Sequence, residues 1–130
     1  MTQIGEHIQM QGQTINERLD CSGKIVIPGL VNAHSHLLEI LQRSFRDNVR
    51  KETWIVKRQV TEEIAQLSTD EIRSAAALAC GEMLKSGVTA VVDHFSLRSG
   101  ITTENMIAVL GAFKQTGIRG ILAPSLRDQN

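Results

Sequence analysis

The stretch MLKSGVTAVVDHF, residues 83–95, decides the fold. Two apolar residues, Met83 and Leu84, close a helical pattern, Gly87 follows, and an apolar, β-branched run begins at once. Gly87 is placed to end a helix in the left-handed conformation. VTAVVDHF, residues 88–95, has the composition of a buried strand. Upstream, Ser68 is a good N-cap, and Glu71 three residues later completes a capping box. Ile72, Ala75, Ala76, Ala79, Met83 and Leu84 then form an apolar stripe at helical spacing. The spacing predicts a helix from Ser68 to Gly87 that feeds a buried strand.

The same alternation extends outward. Downstream, the polar loop SLRSGITT (96–103) leads to a helix over about residues 104–116, with Met106, Val109, Leu110 and Phe113 on one face. Gly117 ends it, and IRGILAPS (118–125) reads as another buried strand. Upstream, GKIVIPG (23–29) supplies a turn, a short strand and a stop at Pro28, and LVNAHSH (30–36) reads as the next strand. LLEILQRSF (37–45) starts a short helix, RDNVRKET (46–53) is a polar loop, and WIVKRQVTEEIAQL (54–67) resumes a helical pattern. Residues 1–27 are polar with scattered Ile and Val and read as short strands and turns.

Buried strands alternating with amphipathic helices imply an α/β fold with a parallel sheet. Two closures are open to it: a flavodoxin-like open sheet, or part of an eight-stranded barrel. In both, ligands gather at the C-terminal ends of the strands. His34 and His36 end the first strand, Asp93 and His94 the second, and Ser125, Arg127 and Asp128 follow the third.

Composition narrows the function classes. The chain has 130 residues, 42% hydrophobic and 22% charged, which is globular rather than disordered. Fourteen basic and fourteen acidic residues leave no net charge, hence no electrostatic case for nucleic acid or an anionic membrane as partner. No apolar run approaches the roughly 20 residues that span a bilayer. The N-terminal stretch lacks the basic start and apolar core of a signal peptide, so cytoplasm is the default. Cys21 and Cys80 lie far apart and read as two reduced cysteines.

HxH is where the chemistry concentrates. Residues i and i+2 of a strand point to the same side, so His34 and His36 project together, about 7 Å apart at Cα. Imidazoles at that separation can converge on one cation. Alone, such a pair could equally be two packed or exposed histidines; its place at the end of a buried strand favours a metal. Catalytic zinc takes three protein ligands and a water, so the pair is an incomplete site.

GKIVIPGLVNAHSH (23–36) resembles the first-strand signature of the amidohydrolase superfamily, metal-dependent hydrolases built on a (β/α)8 barrel. MLKSGVTAVVDH (83–94) is similar to that family's second-strand segment, and FKQTGIRGILAPSLRD (113–128) to the passage into its third strand. SFRDN (44–48) and ETWIVKRQVTEEIAQLSTDEI (52–72) look closest to the branch of adenosine-type, guanine, cytosine and s-triazine aminohydrolases and chlorohydrolases. The resemblance spans roughly residues 20–130. It implies the first three βα units of a barrel over 28–130, preceded over 1–27 by the remnant of a small β-sandwich. It also implies hydrolytic deamination or dechlorination of a nitrogen heterocycle by metal-bound hydroxide.

By that resemblance His34 and His36 are metal ligands, with zinc or iron as the cation, and the family places no ligand at His94. The family's further ligands and its acid/base glutamate lie on later strands, so no catalytic residue is assigned here. Trp54, Glu63, Asp93 and His94 are substrate-side candidates. Trp54 is either a wall over a planar substrate or a helix anchor. Glu62 and Glu63 lie where nucleoside-deaminating relatives place a sugar-binding carboxylate, or on a solvated helix face. Asp93 and His94 contact substrate, support ligands, or serve only structural hydrogen bonds. Arg43, Arg46, Arg50 and Lys51 form a solvated face or an anion site. Two readings of the whole chain follow: a hydrolase of this branch, or an inactive βα fragment that folds by homo-oligomerisation or with a missing remainder. A nucleotide- or phosphate-binding open sheet is disfavoured, because no glycine-rich phosphate loop follows any strand.

Overall fold

In the computed structural model of the chain, residues 16–17, 19–44, 48–50, 52–53, 66–97 and 100–125 are described. They form β1 (Leu30–Ser35), a 3-10 helix (Leu37–Gln42), α1 (Thr69–Lys85), β2 (Val88–Phe95), α2 (Thr103–Thr116) and β3 (Arg119–Pro124). The fold is α/β.

Local signals set most boundaries. The Ser68 hydroxyl accepts the Glu71 backbone N–H while the Glu71 carboxylate accepts the Ser68 N–H, so the capping box forms as its sequence predicts. Gly87 adopts φ +84°, which lets the chain leave α1 and enter β2 one residue later. Thr102 caps α2 through the Asn105 N–H, and Gly117 ends it in the left-handed conformation.

All three strands are parallel, in the order β1-β2-β3. That order decides between the two closures. A flavodoxin-like sheet places its first strand between the second and third. Here β2 is the middle strand, and sequential neighbours are what a barrel builds. The helices cover one face of the sheet. Val91 and Phe95 of β2 join Ile72 and Ala76 of α1 and Val109 and Phe113 of α2 in one core. At Gly120 a Cβ would stand 2.2 Å from the Phe113 ring, so glycine is what lets α2 lie this close to β3.

Three expectations differ in detail. Residues 24–29 form no strand: Ile25, Val26 and Ile27 are exposed and lack a sheet partner among the described residues. Leu110 is exposed, and α2 instead buries Ala108, Val109, Ala112 and Phe113. Small alanines allow the helix to sit against α1 on a face rotated from the one its larger residues suggest. The helix after β1 is 3-10 and ends at Gln42. Cys21 and Cys80 are both free thiols.

Candidate metal centre

The C-terminal ends of β1 and β2 bring three imidazoles together. β1 does not deliver its pair by simple alternation. Asn32 pairs with Val91 and Ser35 with Asp93, so three steps along β1 match two along β2. Such an irregularity re-aims side chains at the end of a strand. The His34 backbone N–H is held by the Asn32 side-chain oxygen at 3.2 Å, within that irregular step. His36 lies just past the strand at φ −126°, ψ 87°. The outcome is convergence: the two Nε2 atoms are 3.3 Å apart.

That distance is chemically specific. Two nitrogens bound to one tetrahedral zinc at ~2.0–2.1 Å stand about 3.3 Å apart. His36 Nδ1 meets the backbone oxygen of His94 at 2.9 Å. A carbonyl only accepts, so Nδ1 carries the proton and Nε2 keeps its lone pair facing His34. A ligand imidazole tied to a backbone carbonyl through its other nitrogen is the usual support of a metal-binding histidine. The His94 ring completes the cluster, 5.5 Å from His34 and 5.0 Å from His36 between ring centres. One ligand atom from each residue lies within 4.8 Å of the others, an arrangement that could hold a divalent metal. His34 is exposed and the other two are half-buried, which leaves a cation reachable from solvent.

Sequence reasoning gave His94 no ligand role. The signal for a third imidazole was the register: β2 lies beside β1, and the end of β2 carries a histidine level with HxH.

Asp93 faces the opposite way from His94, into the core at 1% exposure. Its Oδ1 accepts the Leu37 backbone N–H at 2.9 Å, while Oδ2 has no hydrogen-bond partner among the described residues. Burial pushes the carboxyl up to about 6, opposed by the Leu37 N–H and the nearby His36.

Trp54, Glu62, Glu63, Arg46, Lys51, Arg127 and Asp128 lie outside the described residues. Arg43 is exposed and pairs with Glu82 of α1, which accounts for its charge within the fold. Ser125 donates its backbone N–H to the Phe95 oxygen at 2.8 Å and continues the ladder past β3.

The family model described as the amidohydrolase family matches residues 25–129. The chain belongs to this family. A similar relative is the 5-methylthioadenosine/S-adenosylhomocysteine deaminase of Symbiobacterium thermophilum, 35% identical over 106 residues, covering 82% of the chain and 22% of the relative. Among solved structures, a triazine hydrolase from Arthrobacter aurescens superimposes with a TM-score of 0.67 at 26% identity, covering 79% of this chain and 24% of that one. An atrazine chlorohydrolase from the same species, complexed with zinc and atraton, gives 0.63 at 28% identity, covering 73% and 22%. The chain thus spans about a fifth of the length of the curated relatives it matches. Its three strands correspond to part of the barrel of these amidohydrolases. No described helix is long and apolar enough to cross a membrane.

Proposed function

We propose that the chain is the metal-holding segment of an amidohydrolase that removes an amino or halide group from a small nitrogen heterocycle by hydrolysis. The observation that carries this reading is the 3.3 Å approach of the His34 and His36 Nε2 atoms, with the His36 tautomer set by the His94 carbonyl. His34 and His36 hold the cation, and zinc fits the spacing, though iron is served by the same donors. When bound, the cation acts as a Lewis acid that activates water near neutral pH.

The chain's own part is to present two imidazole nitrogens in a fixed geometry on a strand end backed by a core. The half-open position of the cluster lets a planar ring approach it. Trp54 and Glu63 are the substrate-side residues of this proposal, and His94 lies at the boundary between cation and ring. The division into a sandwich remnant over residues 1–27 and a barrel portion over 28–130 belongs to this proposal; residues 1–15 and 126–130 lie outside the described residues.

One observation favours a second reading, in which this portion has no activity by itself. The face of the sheet away from the helices exposes Val31 and Ile121 at 67% and 63%, and β1 and β3 each have an open edge among the described residues. An apolar face and two open edges invite self-association or cover by further barrel strands. On this reading the purified chain is a homo-oligomer.

Metal analysis of the purified chain, combined with deaminase assays on adenosine, guanine and triazine substrates, separates the two. Stoichiometric zinc with turnover is the expected result for the hydrolase. Metal binding without turnover, in a species larger than a monomer on size exclusion, selects the second reading. His34→Ala and His36→Ala are each expected to weaken metal binding by at least about 10–100-fold; a metal content unchanged by both sinks the hydrolase reading.

A further inference from the structure

His36 is held from two directions by one strand. The His94 carbonyl takes its Nδ1 proton at 2.9 Å, and the Asp93 carboxylate takes the backbone N–H of the next residue, Leu37, also at 2.9 Å. The first contact orients the ring, and the second fixes the backbone that carries it.

Asp93 needs an explanation of this kind. It is 1% exposed, on the same face of β2 as Val91 and Phe95, and its Oδ2 has no hydrogen-bond partner among the described residues. A half-satisfied carboxyl in an apolar core is costly compared with a valine of similar shape. Leu37 shows what the carboxylate provides. It opens the 3-10 helix, where the first N–H groups have no partner within the helix, and the preceding residue, His36, makes no side-chain cap. Leu37 is itself buried, so water cannot replace the missing acceptor. The acceptor comes instead from the neighbouring strand.

We propose that Asp93 is a positioning residue of the metal centre: its carboxylate clamps the Leu37 amide, turning the chain out of β1 so that His36 stays against His34 and His94. The inference rests on the reading of the three histidines as a metal centre. Asp93 acts through Leu37 and His36 and does not itself reach the cation.

The test uses the full chain, isotopically labelled, first without metal and then titrated with cobalt(II) as a spectroscopic probe. In the parent, the Leu37 amide exchanges slowly with solvent, and the imidazole nitrogen shifts show His36 with its proton on Nδ1. Asp93→Asn keeps an acceptor for Leu37 and so keeps both signatures and the parent's cobalt affinity, even where its folding stability falls. Asp93→Val removes the acceptor, frees the Leu37 amide and weakens cobalt binding by about 10–100-fold. A folded Asp93→Val chain with the parent's cobalt affinity and His36 spectrum overturns the inference. If that variant does not fold, rapid exchange of the Leu37 amide in the folded parent overturns it instead. A parent that binds no cobalt, yet shows the protected amide and the Nδ1–H tautomer, supports the clamp while sinking the metal reading.

Discussion

β1 and β2 carry the two halves of the histidine cluster, and they are built in opposite ways. β2 is the middle strand, hydrogen-bonded on both sides, with Val91, Asp93 and Phe95 turned into the helical layer. β1 is an edge among the described residues, irregular in register, with Leu30 and Val31 more than half exposed. The candidate ligands with the closest approach sit on the weaker strand. What orders them comes from the stronger one, through the His94 carbonyl and the Asp93 carboxylate. A rigid central strand thus supplies precision to an edge strand that could not keep it alone.

The contrast can be broken most directly by truncating each strand. Phe95→Ala empties a fully buried ring site and is expected to cost about 3–5 kcal/mol in urea denaturation. Val31→Ala, on the exposed face of β1, should stay within ~0.5 kcal/mol of the parent. Equal losses from the two changes would show that the strands do not differ as described. A smaller effect is expected where β3 meets α2. Gly120→Ala places a methyl group against the Phe113 ring, and overpacking of this kind costs about 1–3 kcal/mol, read from the denaturation midpoint.

A further loss, smaller than those at Phe95 and Gly120, is expected in α1, which backs both strands. Ser68→Ala removes the cap and should cost about 1 kcal/mol. Its partner adds a pH dependence. Hydrogen bonds from the Ser68 hydroxyl and backbone hold the Glu71 carboxyl below its ordinary value of 4.5. The stabilisation is therefore complete above that value and is lost as pH falls through the lower, folded one. Acid titration should narrow the gap between the parent and Ser68→Ala at low pH, leaving the part that the Ser68 hydroxyl contributes by accepting the Glu71 N–H. Parallel curves throughout would remove the capping box from the account.

Much of this was legible in the chain. The capping box at Ser68 and Glu71, the glycine stops at 87 and 117 and the β-branched run 88–95 are local signals, and local structure obeyed them. HxH marked the strand end where ligands gather, and the amidohydrolase resemblance followed from the same residues. Tertiary packing decided the rest, because each remaining feature depends on residues far apart in sequence. Local patterning left barrel and open sheet both open; the family resemblance implied the barrel, and the strand order agrees with it. The face of α2 was set by how closely its alanines approach α1, so Leu110 stayed exposed. His94 joined the cluster through the alignment of β2 with β1, whose register is irregular beside the histidine pair. Asp93 looked like a polar residue at a strand end; only its contact with an amide 56 positions earlier in the chain shows what it holds.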